Sequence, residues 1–474
     1  MQIGVVIYKG IKDWQIVQQV DGFGEIYLAG KYFLESEVEE TAEIKEVYAR
    51  IVDESTADVI IPWKKADHFG ENDWVCVFAK VPAGGLYRIE TCLKVQEDMP
   101  MEWTLRGDVV SHVGVGDIYV IAGQSNSAGY GKDPVYDPPE LGVHIYKNSD
   151  KWDLAIHPMN DSTGTKHKVN LETCNSGHSP YLSFAKFVKR KIGYPVGLIQ
   201  CALGGSPMER WNPEEIGDLY QNMIERVKVQ GSKVRGVLWY QGCSDAMSDR
   251  VHDYQARFLG MVQKLREDLN DPKLPVFTYQ IGRYTEANSL GTDVSWSVLR
   301  EAQRQAAKEE GIYVIPTLDG MLSDCIHNSA AFNIILGERM AKLVLNINYG
   351  KSYFAYAPDL KCVGMYDIRT IRLDFEHVYD KLELFGIAVK ELPFLVEDQN
   401  GENRIVDYKV SDKCSIELEL ERDIAGEFWV SGCYGKDPKG RIPVDYANHY
   451  PIMAFYMMKN SCLLKSPRNR ALTH

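Results

Sequence analysis

A serine, a histidine and an aspartate stand just beyond predicted strands in this chain. Ser125 lies in the sequence Gly-Gln-Ser-Asn after the apolar run 118–122, and Asp324 and His327 lie in Asp-Cys-Ile-His after the run 312–315. A serine hydroxyl is a weak nucleophile until a base removes its proton, and a histidine oriented by a carboxylate suits that step. The pattern predicts acyl transfer, with Ser125 as nucleophile, His327 as general base and Asp324 as orienting acid. Asp319 is the alternative acid.

Two further strand ends carry groups that suit an oxyanion hole. The apolar run 196–200 leads to Gly204 and Gly205, and the run 234–240 leads to Gln241. A tetrahedral intermediate needs hydrogen-bond donors aimed at its oxyanion, and glycine lets the backbone approach closely. The candidate donors are the backbone N–H of Ser125, that of Gly204 or Gly205, and the side-chain amide of Gln241.

Several polar and aromatic residues around these motifs are candidates for substrate binding. Arg210 is a candidate partner for a sugar carboxylate, with a surface ion pair as the alternative. Trp211 is a candidate wall of a sugar site, with simple packing as the alternative. The full set is Gln124, Asn126, Tyr130, Arg210, Trp211 and Cys243.

The composition excludes several classes of function. The chain has 474 residues, a net charge of −13, 45% hydrophobic and 25% charged residues. The acidic balance argues against nucleic acid as a partner, and no apolar run reaches the roughly 18 residues of a membrane span. The ten cysteines show no zinc spacing, and the N-terminus lacks the features of a signal peptide. We therefore expect no metal or other cofactor, and a cytoplasmic protein with reduced, buried thiols.

The pattern of apolar residues predicts an α/β protein with three parts. Residues 1–112 favour short strands typical of a β-sandwich, and residues 351–474 favour a second β-domain, unless its strands join those of the N-terminal part. Between them, residues 113–350 alternate buried strands with helices at about 181–192, 213–231, 253–269, 296–310 and 330–345. This alternation is typical of a parallel sheet, whose ligands bind beyond the carboxyl ends of the strands.

The motifs together resemble the SGNH (GDSL-like) hydrolase superfamily, and within it the sialate O-acetylesterase-type branch of carbohydrate acetylesterases. The resemblance is carried, in order, by Gly123-Gln-Ser-Asn126, Gly204-Gly-Ser-Pro207, Trp239-Tyr-Gln-Gly242 and Asp324-x-x-His327. It extends to the segments 13–19, 204–211, 299–303 and 451–455. It implies a flavodoxin-like three-layer α/β/α catalytic domain with flanking β-domains, and deacetylation of a sugar ester.

One residue departs from the pattern of that family. The third block usually continues Gln-Gly-Glu, whereas Cys243 follows Gly242 here. If the usual acid supports the site from behind, another residue must do so in this chain, and Asp245 is the candidate.

We therefore predict a carbohydrate O-acetylesterase, similar to sialate 9-O-acetylesterases, that works through a Ser-His-Asp acyl-enzyme. An acetylxylan or other plant-oligosaccharide acetylesterase, an esterase for longer acyl chains, and a non-catalytic carbohydrate-binding relative are the alternatives. The expected partner is an O-acetylated mono- or oligosaccharide. The sequence leaves the oligomeric state open, and a homo-oligomer is one alternative.

Overall fold

The N-terminal region is built almost entirely from strands. The computed structural model describes residues 3–174, 176–287 and 291–461. Strands β1, β3, β7 and β6 form one antiparallel sheet, and β4 and β8 pair with each other and with β5 and β9 in a second. The elements are β1 (Gly4–Gly10), β2 (Ile16–Gln18), β3 (Phe23–Phe33), α1 (Ser36–Thr41), β4 (Glu46–Asp53), β5 (Val59–Lys65), β6 (Asp67–Phe69), β7 (Asp73–Pro82), β8 (Gly84–Lys94) and β9 (Leu105–Gly123).

Strand β9 connects this region to the central sheet without a break. Its first half pairs with β8, and its second half lies in the parallel sheet that follows. Strand β2 also runs parallel to β9, with Ile16 opposite Gly114. The predicted boundary between residues 112 and 113 therefore falls inside a strand. The division into three domains, and the sandwich character of the flanking ones, stay predictions.

The central region alternates strands and helices, as the sequence pattern predicts. Its strands are β10 (Val143–Tyr146), β11 (Trp152–Leu154), β12 (Val196–Gln200), β13 (Gly236–Tyr240), β14 (Val276–Tyr279) and β15 (Ile312–Ile315). Its helices are α2 (Ser125–Ala128), α3 (Tyr181–Ile192), α4 (Asp218–Val229), α5 (Cys243–Ala246), α6 (Tyr254–Asp268), α7 (Asp293–Ala306) and α8 (Ala330–Tyr349). Among the described residues, no helix is both long and apolar enough to cross a membrane.

The parallel sheet has the strand order of a doubly wound fold. Strands β12, β9, β13, β14 and β15 lie side by side and all run parallel, and β10 and β11 extend the sheet beyond β12. Numbered along the chain, these five strands follow the order 2-1-3-4-5, in which the order reverses at the first strand. Because ligands bind beyond the strand ends at such a reversal, the loop after β9 is the expected place for a site.

Helices cover both faces of this sheet. Neighbouring residues of a strand point to opposite faces. In β13, Trp239 packs against Phe258 of α6, whereas Tyr240 packs against Tyr279, whose hydroxyl donates to Leu336 O of α8. Helices α6 and α8 therefore lie on opposite sides, and the sheet is the middle of three layers.

The predicted helix ends differ from the observed ones where local chemistry decides. Helix α3 ends at Gly193 as predicted, with a left-handed φ of 84°. Helix α4 begins at Asp218 and not at Pro213, because Gly217 before it has a φ of 61°, outside the helical region. Helix α7 begins earlier than predicted because Thr292 and Ser295 form a capping box.

The C-terminal region forms sheets of its own. Strands β16, β17, β22 and β21 form one antiparallel sheet, strands β20, β19, β23 and β25 form another, and in the described residues neither includes an N-terminal strand. The predicted hairpin at Asn400-Gly401 joins β19 to β20. The strands are β16 (Asp359–Asp367), β17 (Thr370–Glu376), β18 (Leu382–Glu383), β19 (Phe394–Asp398), β20 (Gly401–Glu402), β21 (Ile405–Ser411), β22 (Ser415–Leu420), β23 (Phe428–Gly432), β24 (Val444–Asp445) and β25 (Phe455–Lys459).

Candidate active site

Ser125 lies at a sharp turn beyond the central strand β9. Gly123 ends the strand with a φ of 117°, and a Cβ on it would lie 2.4 Å from Tyr240 O, so only glycine fits there. Ser125 is the first residue of α2 and is 7% exposed. The turn thus places the hydroxyl at the carboxyl edge of the sheet, where the strand order reverses.

The structure brings together the three residues predicted for acyl transfer. His327 Nε2 lies 2.9 Å from Ser125 Oγ, and His327 Nδ1 lies 2.7 Å from Asp324 Oδ2. Burial raises the pKa of Asp324, but hydrogen bonds from His327 and from the backbone N–H groups of Ile326 and His327 outweigh it and lower the pKa. An ionised carboxylate only accepts hydrogen bonds, so Nδ1 carries the proton and Nε2 is free to accept one from Ser125.

The alternative acid does not reach the histidine. Asp319 pairs with Arg339 of α8 through both carboxylate oxygens, at 2.9 and 2.5 Å. The geometry therefore favours Asp324 as the orienting group.

Asn126, the residue after the serine, holds the histidine segment. Its Nδ2 donates to Ile326 O at 3.2 Å, and its Oδ1 accepts from the N–H of Asn328 at 3.0 Å. Both bonds flank His327 in the chain. Asn126 is 3% exposed, so it positions the base and does not present its amide to a substrate, in contrast to the substrate-binding role predicted for it.

The prediction that Gln241 is an oxyanion donor is wrong. Gln241 is fully buried, and its Nε2 donates to Asp245 Oδ2 at 2.5 Å and to Ser206 O at 3.2 Å. Both amide hydrogens are therefore engaged. The side chain instead ties the end of β13 to the turn that follows β12.

Asp245 supports this turn from behind, as the departure at Cys243 led us to expect. Its carboxylate accepts from the N–H of Met208 at 2.9 Å and from Arg257 Nη1 at 3.0 Å, besides the bond from Gln241. Burial raises the pKa of Asp245 despite these bonds. The network fixes the segment that carries Gly204 and Gly205.

Two backbone donors remain for an oxyanion. The N–H of Ser125 is the first of α2 and has no acceptor within the helix. The N–H of Gly205 has no hydrogen-bond acceptor among the described residues. The N–H of Gly204, in contrast, donates to Glu172 Oε2 at 2.9 Å, so of the two predicted glycines Gly205 is the one with a free donor.

Two more predicted substrate contacts are engaged inside the protein. Arg210 makes a two-pronged ion pair with Asp218 and also donates to Val169 O. Trp211 is fully buried, with Nε1 donating to Ser206 Oγ. The structure therefore favours the alternative stated for each residue, an ion pair for Arg210 and simple packing for Trp211.

Gln124 and Cys243 are structural as well. Gln124 Oε1 accepts from the N–H groups of Gly242 at 3.0 Å and Ser244 at 3.2 Å, which latches the serine turn to the start of α5. Cys243 is 3% exposed, and burial raises the pKa of its thiol to about 12. Neither side chain is placed to bind a sugar, and the thiol is not a nucleophile.

Tyr130 is the predicted substrate contact that stays beside the reacting groups. Its ring lies 4.7 Å from the His327 ring, centre to centre, and it is 9% exposed. Glu172, which the sequence did not single out, lies next to it. Glu172 sits in an irregular segment between β11 and α3, where no motif or spacing marks it.

One cluster near the site has metal-ligand chemistry. Asp137, His157 and His178 lie together, with both imidazole Nε2 atoms within 3.2 Å of Asp137 Oδ2. Lys186 also donates to this carboxylate, and both Nδ1 atoms are buried without a partner. A metal-bound histidine normally donates its other ring N–H to an acceptor, so the cluster does not suit a metal ion. It joins the loop after α2 to α3.

Comparisons with known proteins show similarity to carbohydrate esterases. A family model described as carbohydrate esterase, sialic acid-specific acetylesterase, matches residues 115–346. A probable carbohydrate esterase from Arabidopsis thaliana is 28% identical in an alignment of 267 residues that covers 50% of this chain and 94% of that protein. The crystal structure of a carbohydrate acetylesterase from Xanthomonas citri is 18% identical, covers 95% of this chain and 99% of its own, and superposes with a TM-score of 0.64. At that identity it establishes a shared fold.

The matched residues 115–346 contain the serine turn, both glycines, Gln241, Asp324 and His327. This part of the chain is therefore similar to the carbohydrate esterases whose family is described as sialic acid-specific acetylesterases.

Proposed function

We propose that this protein is a serine esterase that removes acetyl groups from carbohydrates. The proposal rests on the hydrogen-bonded series from Asp324 through His327 to Ser125, with distances of 2.7 and 2.9 Å. A base within hydrogen-bond reach of a hydroxyl, and itself held by a carboxylate, is the arrangement that activates serine. The match of residues 115–346 to a carbohydrate esterase family supports a sugar ester as the substrate.

The proposed reaction has two halves. Ser125 Oγ attacks the acetyl carbonyl carbon while His327 Nε2 takes the hydroxyl proton, and the N–H groups of Ser125 and Gly205 stabilise the oxyanion. The C–O bond to the sugar then breaks, and His327 gives its proton to the departing sugar oxygen. In the second half, water attacks the acetyl-enzyme, His327 accepts its proton, and acetate leaves as Ser125 regains a hydrogen.

The Ser125→Ala variant tests the nucleophile. We expect acetate release from 4-nitrophenyl acetate to fall by about 10³-fold or more, since only the oxyanion donors and binding would remain. Thermal unfolding should be close to that of the wild type. Wild-type rates in a folded Ser125→Ala protein would overturn the proposal.

The length of the acyl group tests the class of ester. An acetylesterase should lose most of its activity between 4-nitrophenyl acetate and 4-nitrophenyl butyrate. Rising activity with chain length would instead identify an esterase for longer acyl chains.

The sugar is the finer part of the proposal. We propose an O-acetylated sialic acid or an O-acetylated neutral oligosaccharide such as acetylxylan fragments. The family description favours the first, whereas the engagement of Arg210 by Asp218 removes the one sugar-carboxylate partner that we predicted. Acetate release from 9-O-acetylated sialic acid and from acetylated xylooligosaccharides, measured side by side, decides between them.

A further inference from the structure

The Glu172 carboxylate gathers donors from three separate segments. Its Oε2 accepts from the N–H of Gly204 at 2.9 Å and from Asn160 Nδ2 at 3.1 Å, and its Oε1 accepts from the N–H of Cys174 at 3.2 Å. Glu172 is half-buried. Three donors on one carboxylate leave its side chain little freedom, so it is a fixed point next to the glycine turn.

The same carboxylate lies beside the hydroxyl of Tyr130. A Cβ built on Gly204 would lie 2.5 Å from the Tyr130 hydroxyl and 2.9 Å from Glu172 Oε2, so both groups converge on this glycine. Burial and the neighbouring Glu172 raise the pKa of Tyr130, which keeps the phenol protonated and able to donate. Tyr130 also contacts the general base, because the ring of His327 lies 4.7 Å from its own ring.

We propose that Glu172 is a positioning residue of the esterase site. It holds the N–H of Gly204, which leaves the N–H of Gly205 as the donor for the oxyanion. It also holds Tyr130 against the ring of His327. The role in catalysis rests on the proposed function, whereas the role in holding the glycine turn does not.

The first experiment measures turnover in Glu172→Ala. Misplacing one oxyanion donor costs up to about 100-fold in turnover, so we expect kcat on 4-nitrophenyl acetate to fall about 10- to 100-fold. KM should change less than about threefold, because the carboxylate does not touch this small ester. Thr173→Ala, at the exposed neighbouring residue, is the control and should keep wild-type kcat. A kcat within threefold of the wild type in folded Glu172→Ala overturns the proposal.

The second variant, Glu172→Gln, distinguishes the loss of hydrogen-bond acceptors from the loss of side-chain volume. The amide keeps the shape and one acceptor oxygen of the glutamate. Its NH₂ group, however, cannot accept a hydrogen bond, so either the N–H of Gly204 or that of Cys174 loses its acceptor. We expect a kcat between those of Glu172→Ala and the wild type. A kcat no higher than that of Glu172→Ala would instead assign the role to the charge and overturn the positioning role.

Hydrogen exchange tests the proposal without any activity. In Glu172→Ala, peptides that cover residues 201–207 should exchange faster than in Thr173→Ala, because the Gly204 N–H has lost its acceptor. Equal exchange in the two variants would overturn the positioning role even if the protein is an esterase. If the wild type releases no acetate and exchange still rises, the proposed function fails while the structural role of Glu172 stands.

Discussion

The side chain of Asn126 is hydrogen-bonded to the backbone of Asn328, which lies 202 residues further along the chain. Asn126 Oδ1 accepts from the N–H of Asn328 at 3.0 Å. The same amide donates to Ile326 O. Asn126 follows the serine, and the two bonds enclose His327. The nucleophile turn and the base are therefore held as one unit, through a contact that needs no substrate.

Asn126→Ala should misplace the base. Without both amide bonds, His327 loses its fixed distance to Ser125, and a displacement of about 1 Å can cost about 100-fold in rate. We expect kcat on 4-nitrophenyl acetate to fall about 10- to 100-fold, measured in steady state. Unchanged kcat in the folded variant would show that Asp324 alone positions the histidine.

Asp324→Asn should remove the orienting acid while keeping its shape. An asparagine oxygen still accepts from one backbone N–H, but the imidazole loses its charged partner and its preferred tautomer. We expect kcat to fall by about 10³- to 10⁴-fold, as is typical for this change in a serine triad.

The matched control for that variant is Asp319→Asn. It removes the same charge from the carboxylate that pairs with Arg339. Its effect should appear in thermal stability and leave kcat within about threefold. If Asp319→Asn lost activity as strongly as Asp324→Asn, the orienting role would be misassigned.

Cys243→Ser tests whether the thiol takes part in the chemistry. A thiolate is the reactive form, and burial raises the pKa of Cys243 to about 12, so almost none exists at neutral pH. We expect kcat/KM within about threefold of the wild type. Because serine adds a buried hydroxyl, Cys243→Ala and the unfolding midpoint of each variant should be measured as well. A loss above tenfold in both folded variants would contradict this expectation.

The sequence could predict the strand ends because their patterns are local. Runs such as 196–200 and 312–315 end where the strands β12 and β15 end. The serine, histidine and aspartate were predictable because their roles follow from residue type and from order along parallel strands. The start of α4 was not, because Gly217 in a left-handed conformation decides it, and glycine alone does not reveal its φ.

The side-chain roles were less predictable for a different reason. Gln241, Arg210 and Trp211 each carry a group that suits a ligand, and whether that group faces a ligand depends on its neighbours in space. Arg210 meets Asp218 across a short turn, and Gln241 meets Asp245 one helical turn away. Glu172, in contrast, was not predicted to have a role at all. Its hydrogen-bond donors come from Asn160, Cys174 and Gly204, and their spacing in the sequence does not indicate that they meet.

The buried His144 should make the folded protein less stable in mild acid. His144 lies in β10 with Nδ1 2.7 Å from Trp14 O, and burial lowers its pKa to about 4, against the effect of that hydrogen bond. Below about pH 6.5 the unfolded chain binds a proton at this residue that the folded chain does not bind. The free energy of unfolding therefore decreases as the pH is lowered. The fall extends from about pH 6.5 to 4 and amounts to at most on the order of 3 kcal/mol for this residue.

His144→Asn removes the titrating ring and keeps a donor for Trp14 O. We expect the free energy of unfolding, from urea titrations between pH 7 and 5, to depend less steeply on pH in this variant than in the wild type. His157, whose pKa is also lowered by burial, should supply part of the slope that remains. Carboxylates whose pKa is lowered in the folded protein contribute little in this range, because their unfolded pKa values lie near 4. Equal slopes in the variant and the wild type would mean that His144 is protonated without cost in the folded protein.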